Sequence, residues 1–345
     1  MKKNRLLKQI SLMLLVMVML FSFSACGSEP KQEEPTGDNG YEKLTIRYGS
    51  IYNETTIYGQ ALEKMKADIE EASSGNIVVD IFSGGTLGTE QEHAQALQEG
   101  SIEMLFSGTA GVGLFVPATA LFEVWYGFND IEQLEEAVQT LRGDLDGEMQ
   151  KQGFKLLGAY YDGPRQILSN KKVTNIDDLK NLKLRAPGAK IYVDSVSALG
   201  AQAVSIPLGD VYTSLQTGGI DAMEGTIDSI YQQKFYEQGK YLIQDAHVFQ
   251  PLFIVYNLDA WNALPQKSQE LIQQAVKDSM DYQMQLYKET MQNEIDEMTA
   301  SGVELVDITD RDKWISAVMS ASEAYSKDYG DLGKKIYDVV KSYQK

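Results

Sequence analysis

The chain is poor in the residues that carry most enzyme chemistry. Its 345 residues include one cysteine, Cys26, so no disulfide can form within it. Its two histidines, His93 and His247, are far apart and lack metal-ligand spacing, which disfavours a histidine metal site or a histidine-based catalytic set. No phosphate-cradling glycine loop is present. The acidic clusters at 144–148 and 307–312 lack the complete ligand loop of a calcium site, and Asp310 is expected to cap the last helix instead. Positive charge is the other shortage. The 31 Lys and Arg residues face 49 Asp and Glu, a formal net charge of −18. Such a surface argues against a nucleic-acid partner and against electrostatic docking on anionic lipid. An anion site in this chain must therefore rest on local positive groups. No metal and no cofactor are expected.

What is present begins with an export signal. Lys2, Lys3, Arg5 and Lys8 precede an apolar run over 10–23, and Ser24 and Ala25 lead into Cys26. This order reads as a signal peptide over 1–25, too short to span comfortably as a permanent helix. Phe23-Ser-Ala-Cys26 resembles a bacterial lipobox, so Cys26 is expected to carry a lipid that holds the protein on the outer face of the cytoplasmic membrane. Residues 26–40 offer no apolar side chain to a core and read as a flexible linker. Without the four basic leader residues the charge becomes −22. About 300 residues then remain, more than a single core usually organises, and two lobes are expected.

The body alternates strands and helices. Leu44 to Tyr48 reads as a strand. Tyr58, Leu62, Met65, Ile69 and Ala72 recur at helical spacing, with Gly75 at the stop, and 77–82 reads as a second strand. The alternation continues through 154–161 and beyond, an α/β pattern with mainly parallel sheets. One segment echoes another: Leu97-Gln-Glu-Gly-Ser-Ile-Glu103 recurs as Leu215-Gln-Thr-Gly-Gly-Ile-Asp221. Each copy leaves a helix, turns at Gly100 or Gly218, and enters a strand ending in Gly-Thr, at 108–109 and 225–226. Two similarly built lobes follow, with both Gly-Thr ends at a shared cleft beyond the strands. Apolar positions from Leu271 to Met298 keep one face, between Pro265 and Gly302. They predict a helix of about 35 residues, roughly 50 Å long, bracing both lobes. Trp314, Ala317, Val318 and Tyr325 suggest a closing C-terminal helix.

Two arginines stand at strand ends beside proline and glycine. Arg165 enters a strand after a Tyr160-Tyr-Asp-Gly-Pro turn, and Arg185 ends the strand Leu182-Lys-Leu-Arg before Ala-Pro-Gly. A guanidinium placed there can grip a carboxylate through two parallel, charge-assisted hydrogen bonds. An ion pair with a nearby acid accounts for either arginine equally well.

The stretches Gly163-Pro-Arg-Gln-Ile-Leu-Ser-Asn170, Ile176-Asp-Asp-Leu-Lys-Asn-Leu-Lys-Leu-Arg-Ala-Pro187, Val211-Tyr-Thr-Ser-Leu-Gln-Thr-Gly-Gly-Ile-Asp-Ala-Met-Glu224, Lys234-Phe-Tyr-Glu237 and Phe82-Ser-Gly-Gly-Thr-Leu-Gly88 resemble solute-binding subunits of TRAP (tripartite ATP-independent periplasmic) transporters. The likeness runs in order from about Tyr41 to Tyr325. It implies an α/β, two-lobe periplasmic-binding-protein-like clamshell with a long helix spanning both lobes. The expected division is 41–162 plus 251–290 for lobe I, and 163–250 plus 291–345 for lobe II. The ligand implied is a small organic acid, a sugar acid or a dicarboxylate, passed to membrane permease subunits without chemistry on it.

Within this resemblance Arg185 matches the main carboxylate-binding arginine and Arg165 a second one. Glu224-Gly-Thr stands where many members have Glu-Asn-Pro. The asparagine contact is therefore missing at Gly225 and Thr226 is its expected substitute. Leu208 holds a position often occupied by Phe against the ligand. Ser107-Gly-Thr-Ala-Gly lacks the Glu and Arg of sialic-acid binders, which argues against sialic acid. Asn53, Glu54, Thr56, Thr109 and Trp125 are the first-lobe candidates for reading the rest of the ligand. The rival readings are the ligand-binding partner of a sensor system, a secreted hydrolase, and the binding protein of an ATP-driven importer.

Overall fold

The structure is a computed structural model and describes residues 40–343. The leader and Cys26 lie outside the described residues. None of the described helices is long and apolar enough to cross a membrane.

Eleven strands are described: β1 (Leu44–Gly49), β2 (Ile77–Phe82), β3 (Met104–Ser107), β4 (Phe154–Tyr161), β5 (Arg165–Ser169), β6 (Lys183–Ala186), β7 (Gln202–Ser205), β8 (Ala222–Thr226), β9 (Tyr241–Val248), β10 (Pro251–Asn257) and β11 (Glu304–Val306). They form two sheets, ordered β2-β1-β3-β10-β4 and β11-β9-β5-β8-β6-β7. In the first sheet β1 pairs in parallel with β2 and β3, and β10 runs antiparallel between β3 and β4. Every residue of β10 is buried. This fits a strand covered on both faces, whose sequence is a continuous apolar run rather than an alternation.

The first helix, Ile57–Ala72, shows how local chemistry sets an element. Thr56 caps it by accepting from the Gly59 N–H at 3.1 Å, which satisfies one of the otherwise orphaned donors. Tyr58, Leu62, Met65 and Ile69 are fully buried, one stripe at i, i+4, i+7 and i+11. Gly75 follows at φ +76°. The repeated segment also folds twice alike. Helix Glu90–Gln98 passes Gly100 into β3, and helix Val211–Gln216 passes Gly218 into β8, with both glycines at φ +72°.

Two short crossings join the sheets. Residues 162–164 link β4 to β5, and residues 249–250 link β9 to β10. The crossings are themselves paired, with the Asp162 N–H donating to the Gln250 carbonyl at 2.9 Å. The long helix, Gln266–Ala300, spans 35 residues, or about 52 Å at 1.5 Å per residue. It packs on Ile57–Ala72 and β4 on one side of the crossings and on helix Ile227–Gln232 on the other. The chain passes so close beneath it that a Cβ at Gly163 would lie 2.2 Å from the Tyr287 ring, and one at Gly158 2.5 Å from Met280 Sδ.

The C-terminal part departs from expectation in three ways. It forms two helices, Arg311–Asp328 and Gly330–Tyr343. The second was expected with lobe II, but it packs on Pro117–Glu123 and Ile131–Thr140 of the first lobe, where Ile336 and Val340 are fully buried. Asp310 precedes Arg311–Asp328 without a side-chain cap. Its carboxylate instead accepts from Trp314 Nε1 at 2.9 Å and the Ile176 N–H at 3.1 Å, tying the helix to the second lobe.

Candidate functional site

Strand register assembles the charged centre. β8 lies between β5 and β6. β5 runs antiparallel to it, which sets Arg165 opposite Thr226 and Ile167 opposite Glu224. β6 runs parallel to it, with Arg185 beside Met223. The start of β5 and the ends of β6 and β8 therefore share one edge of the sheet, beside the crossings.

The two arginines are held differently. Arg165 clasps Glu224 in a fork, Nε to Oε2 at 2.6 Å and Nη2 to Oε1 at 2.9 Å, while Nη1 donates to Gln250 Oε1 at 2.9 Å. Asp162 Oδ2 stands 3.7 Å from the same guanidinium, whose Cζ lies 5.4 Å from the Tyr192 ring centroid. Arg185 donates Nε to the Ile206 carbonyl at 3.0 Å. Its nearest acid is Glu224, 3.8 Å from Nη1, and neither Nη group makes a hydrogen bond among the described residues. Burial, with the like charge of Arg165, lowers the Arg185 pKa to about 10 although Glu224 pulls upward. It stays charged at neutral pH, so a buried cation is left with its two outer donors open.

Glu224 is the hub. Burial alone would raise its carboxyl, but the Arg165 charge and the bonds from His247 and Arg165 outweigh burial and hold it at about 2. His247 bridges from Nε2 to Glu224 Oε2 at 3.2 Å and from Nδ1 to Asp245 Oδ2 at 2.8 Å. Its pKa is raised against burial, first by Asp245 and then by Glu224. Trp125 stacks on His247 with ring centroids 4.0 Å apart.

A narrow cavity of about 40 Å³ lies against this centre, lined by Arg165, Arg185, Glu224, Gly225, Leu208 and Met223 from the second lobe, with Tyr52, Glu90, Glu123 and Gln250 among the others. Two first-lobe acids face it. Burial pushes the Glu90 carboxyl up, opposed by bonds from Ser107 and the Gly108 N–H. Burial pushes Glu123 up to about 7, opposed by Thr109, Gln250 and Tyr192. Among the described residues no group of three or more His, Cys, Asp or Glu is placed to hold a metal ion.

Of the expected site residues, Arg185, Arg165, Gly225 and Leu208 line this cavity. The others do not. Thr226 is buried as the cap of helix Ile227–Gln232, its Oγ1 accepting from the Ser229 N–H at 3.2 Å. Thr56 is likewise a helix cap. Asn53 and Glu54 are exposed, and Glu54 accepts from Ser83 Oγ at 3.2 Å. Trp125 is fully buried behind His247. Thr109 acts through its backbone N–H, given to Glu123 Oε1 at 2.9 Å. Sequence reasoning missed Glu90, Glu123, Tyr192, Gln250 and the supporting role of His247. One signal was available, because Glu123 is the lone charge in the apolar run 120–126.

A buried guanidinium with open donors, beside a cavity lined from both lobes, is a local positive group that an anion can complete. The model of bacterial extracellular solute-binding protein family 7, DctP, matches residues 48–329. The chain belongs to this family. It is a TRAP-type solute-binding protein with the two-lobe fold. A 2,3-diketo-L-gulonate-binding periplasmic protein of Escherichia coli K12 is 28% identical over 276 residues, covering 79% of this chain and 84% of that protein. A C4-dicarboxylate-binding protein of Bacillus subtilis 168 is 24% identical, covering 84% of each. The crystal structure of a TRAP periplasmic solute-binding protein of Haemophilus influenzae RdAW with bound L-gulonate is similar at a TM-score of 0.81 and 26% identity, covering 87% of this chain and 100% of that one.

Proposed function

We propose that this family member captures a sugar acid, a monocarboxylate carrying several hydroxyls, and delivers it to TRAP membrane permease subunits without altering it. The observation that carries the reading is the open fork of Arg185. Arg165 is already neutralised by Glu224, whereas Arg185 presents Nη1 and Nη2 to the cavity with its plane fixed through Nε. A ligand carboxylate completes it with two charge-assisted bonds. Closure is ligand-dependent because the carboxylate touches Arg185 from one lobe while its remaining groups touch the other. In the full chain Cys26 carries the lipid, and residues 26–40 keep the receptor beside its permease at raised effective concentration.

The test is a thermal-shift and calorimetric screen of sugar acids and dicarboxylates. A ligand at 100 times its Kd adds about 2.7 kcal/mol of stability. Binding is expected to vanish in Arg185→Ala. An Arg185→Ala variant that binds like wild type rejects the clamp, and turnover of any ligand in the panel rejects the receptor reading in favour of an enzyme.

A further inference from the structure

Arg185 accounts for a ligand carboxylate, but not for the first-lobe wall of the same cleft. Glu123 ends the segment Pro117–Glu123, is 1% exposed, and lines the cavity. Its Oε1 accepts the Thr109 N–H at 2.9 Å. Its Oε2 has no hydrogen-bond partner among the described residues, and the buried Tyr192 hydroxyl, also on the cavity wall, has none either. The Thr109, Gln250 and Tyr192 side chains approach the carboxyl closely enough to oppose burial, with Tyr192 turned toward it, but none reaches Oε2 with hydrogen-bond geometry. Buried polar groups left unpaired are costly and uncommon, so each needs a reason.

A hydroxyl supplies one. It donates to a carboxylate oxygen and accepts from a phenol at once. A second carboxylate offers acceptors only, and would meet the charges of Glu123 and of Glu90, which also lines the cavity. We propose that Glu123 and Tyr192 form a hydroxyl-reading subsite that selects hydroxylated monocarboxylates and rejects dicarboxylates. This rests on the Arg185 reading above. It makes the ligand polar in a defined sense, with its anion in the second lobe and its donors in the first.

The groups facing Glu123 are Arg165 on β5, Tyr192 on helix Lys190–Ala198, Gln250 in the crossing and Thr109 after β3. Burial brings its titration to about 7, so the repulsion that excludes a second carboxylate weakens as pH falls from about 8 to 6.

Calorimetry with L-gulonate and succinate as probes decides the matter, on wild type, Glu123→Gln, Tyr192→Phe and Arg185→Ala. Glutamine still accepts the Thr109 N–H, so the fold is kept. Glu123→Gln is expected to weaken L-gulonate at least ten-fold while leaving succinate unchanged or tighter. Tyr192→Phe is expected to move the ratio the same way by less. The wild-type preference for L-gulonate is expected to narrow from pH 8 to 6, and Glu123→Gln to lose that dependence. Equal changes for both probes, no change for either, or a wild type that prefers succinate would overturn the subsite. Loss of both probes in Arg185→Ala with neutral Glu123 variants rejects the subsite alone, whereas retention of both in Arg185→Ala rejects the clamp beneath it.

Discussion

Arg165 and Arg185 are the same residue type at neighbouring strand ends, yet their partners assign them different work. Arg165 is the counter-ion of a fully buried glutamate, and its removal strands that charge. Arg165→Ala is therefore expected to cost about 3–5 kcal/mol of stability, read by denaturant unfolding. Arg185→Ala is expected to cost less stability while abolishing ligand binding, because Glu224 keeps its fork with Arg165. Asp162 gives the pH dependence its sign. Both of its carboxyl oxygens are buried without hydrogen-bond partners, and burial raises its pKa from 3.8 to about 7 despite the Arg165 charge. The folded value lies above the unfolded one, so this stabilising contribution is fully present below about pH 4 and is lost as pH rises through 7. Three units correspond to about 4 kcal/mol. Asp162→Asn is expected to flatten the stability profile between pH 4 and 7.5 in urea unfolding. Glu224 works in the opposite window. Its folded pKa of about 2 lies below the unfolded value, so its contribution is present above about pH 4.5 and lost as pH falls through 2.

At the scale of elements, β8 explains both what was legible and what was not. The helix-turn-strand echo announced that β3 and β8 end at one cleft, because glycine at a helix stop and an apolar run after it are local signals. The arginines were legible for the same reason: a charge next to proline and glycine at the end of an apolar strand marks an edge. Thr226 misled because its hydroxyl is spent on capping the following helix, and no local pattern separates a cap from a ligand contact. Glu90, Glu123 and Gln250 meet only through tertiary packing of segments far apart in the chain, so spacing could not pair them. The end of β8 also offers an engineering test. Gly225 has no positive φ, and a Cβ there would lie 3.1 Å from Met223 Cε, the mobile tip of a flexible side chain, with nothing else within 3.4 Å. Gly225→Asn is expected to be tolerated with little loss of stability and to place an amide donor beside Arg185. Sugar-acid affinity should rise several-fold in calorimetry, and a fall in affinity with an unchanged fold would show that Met223 cannot give way.

At the scale of the whole molecule, the crossings and the long helix join the two sheets, and the proposed closure is a motion of two bodies about them. In the proposed closure the carboxylate clamp is one contact that joins the lobes. Another lies on the side of the crossings where the long helix passes. Asp228, on helix Ile227–Gln232 of the second lobe, accepts the Ile57 N–H at 3.2 Å. Ile57 opens the first helix of the first lobe, so its N–H is one of the donors a helix cannot satisfy internally. Glu294 of the long helix stands beside Asp228, and burial, together with that neighbouring charge, raises the Asp228 pKa well above the usual carboxyl range. The bond itself needs only an acceptor at Asp228 Oδ1. Asp228→Asn keeps the acceptor and is expected to leave ligand affinity near wild type. Asp228→Ala strands the Ile57 N–H only when the lobes are closed, at a cost of about 1–3 kcal/mol to that form. Apparent affinity should fall roughly 5- to 150-fold, with every cavity-lining residue intact. Small-angle scattering should show the ligand-free Asp228→Ala protein with a larger radius of gyration than Asp228→Asn, and saturating ligand should restore the compact value. Equal affinities for the two variants would mean that the Asp228 bond does not distinguish the two forms and that closure is driven by the ligand contacts alone.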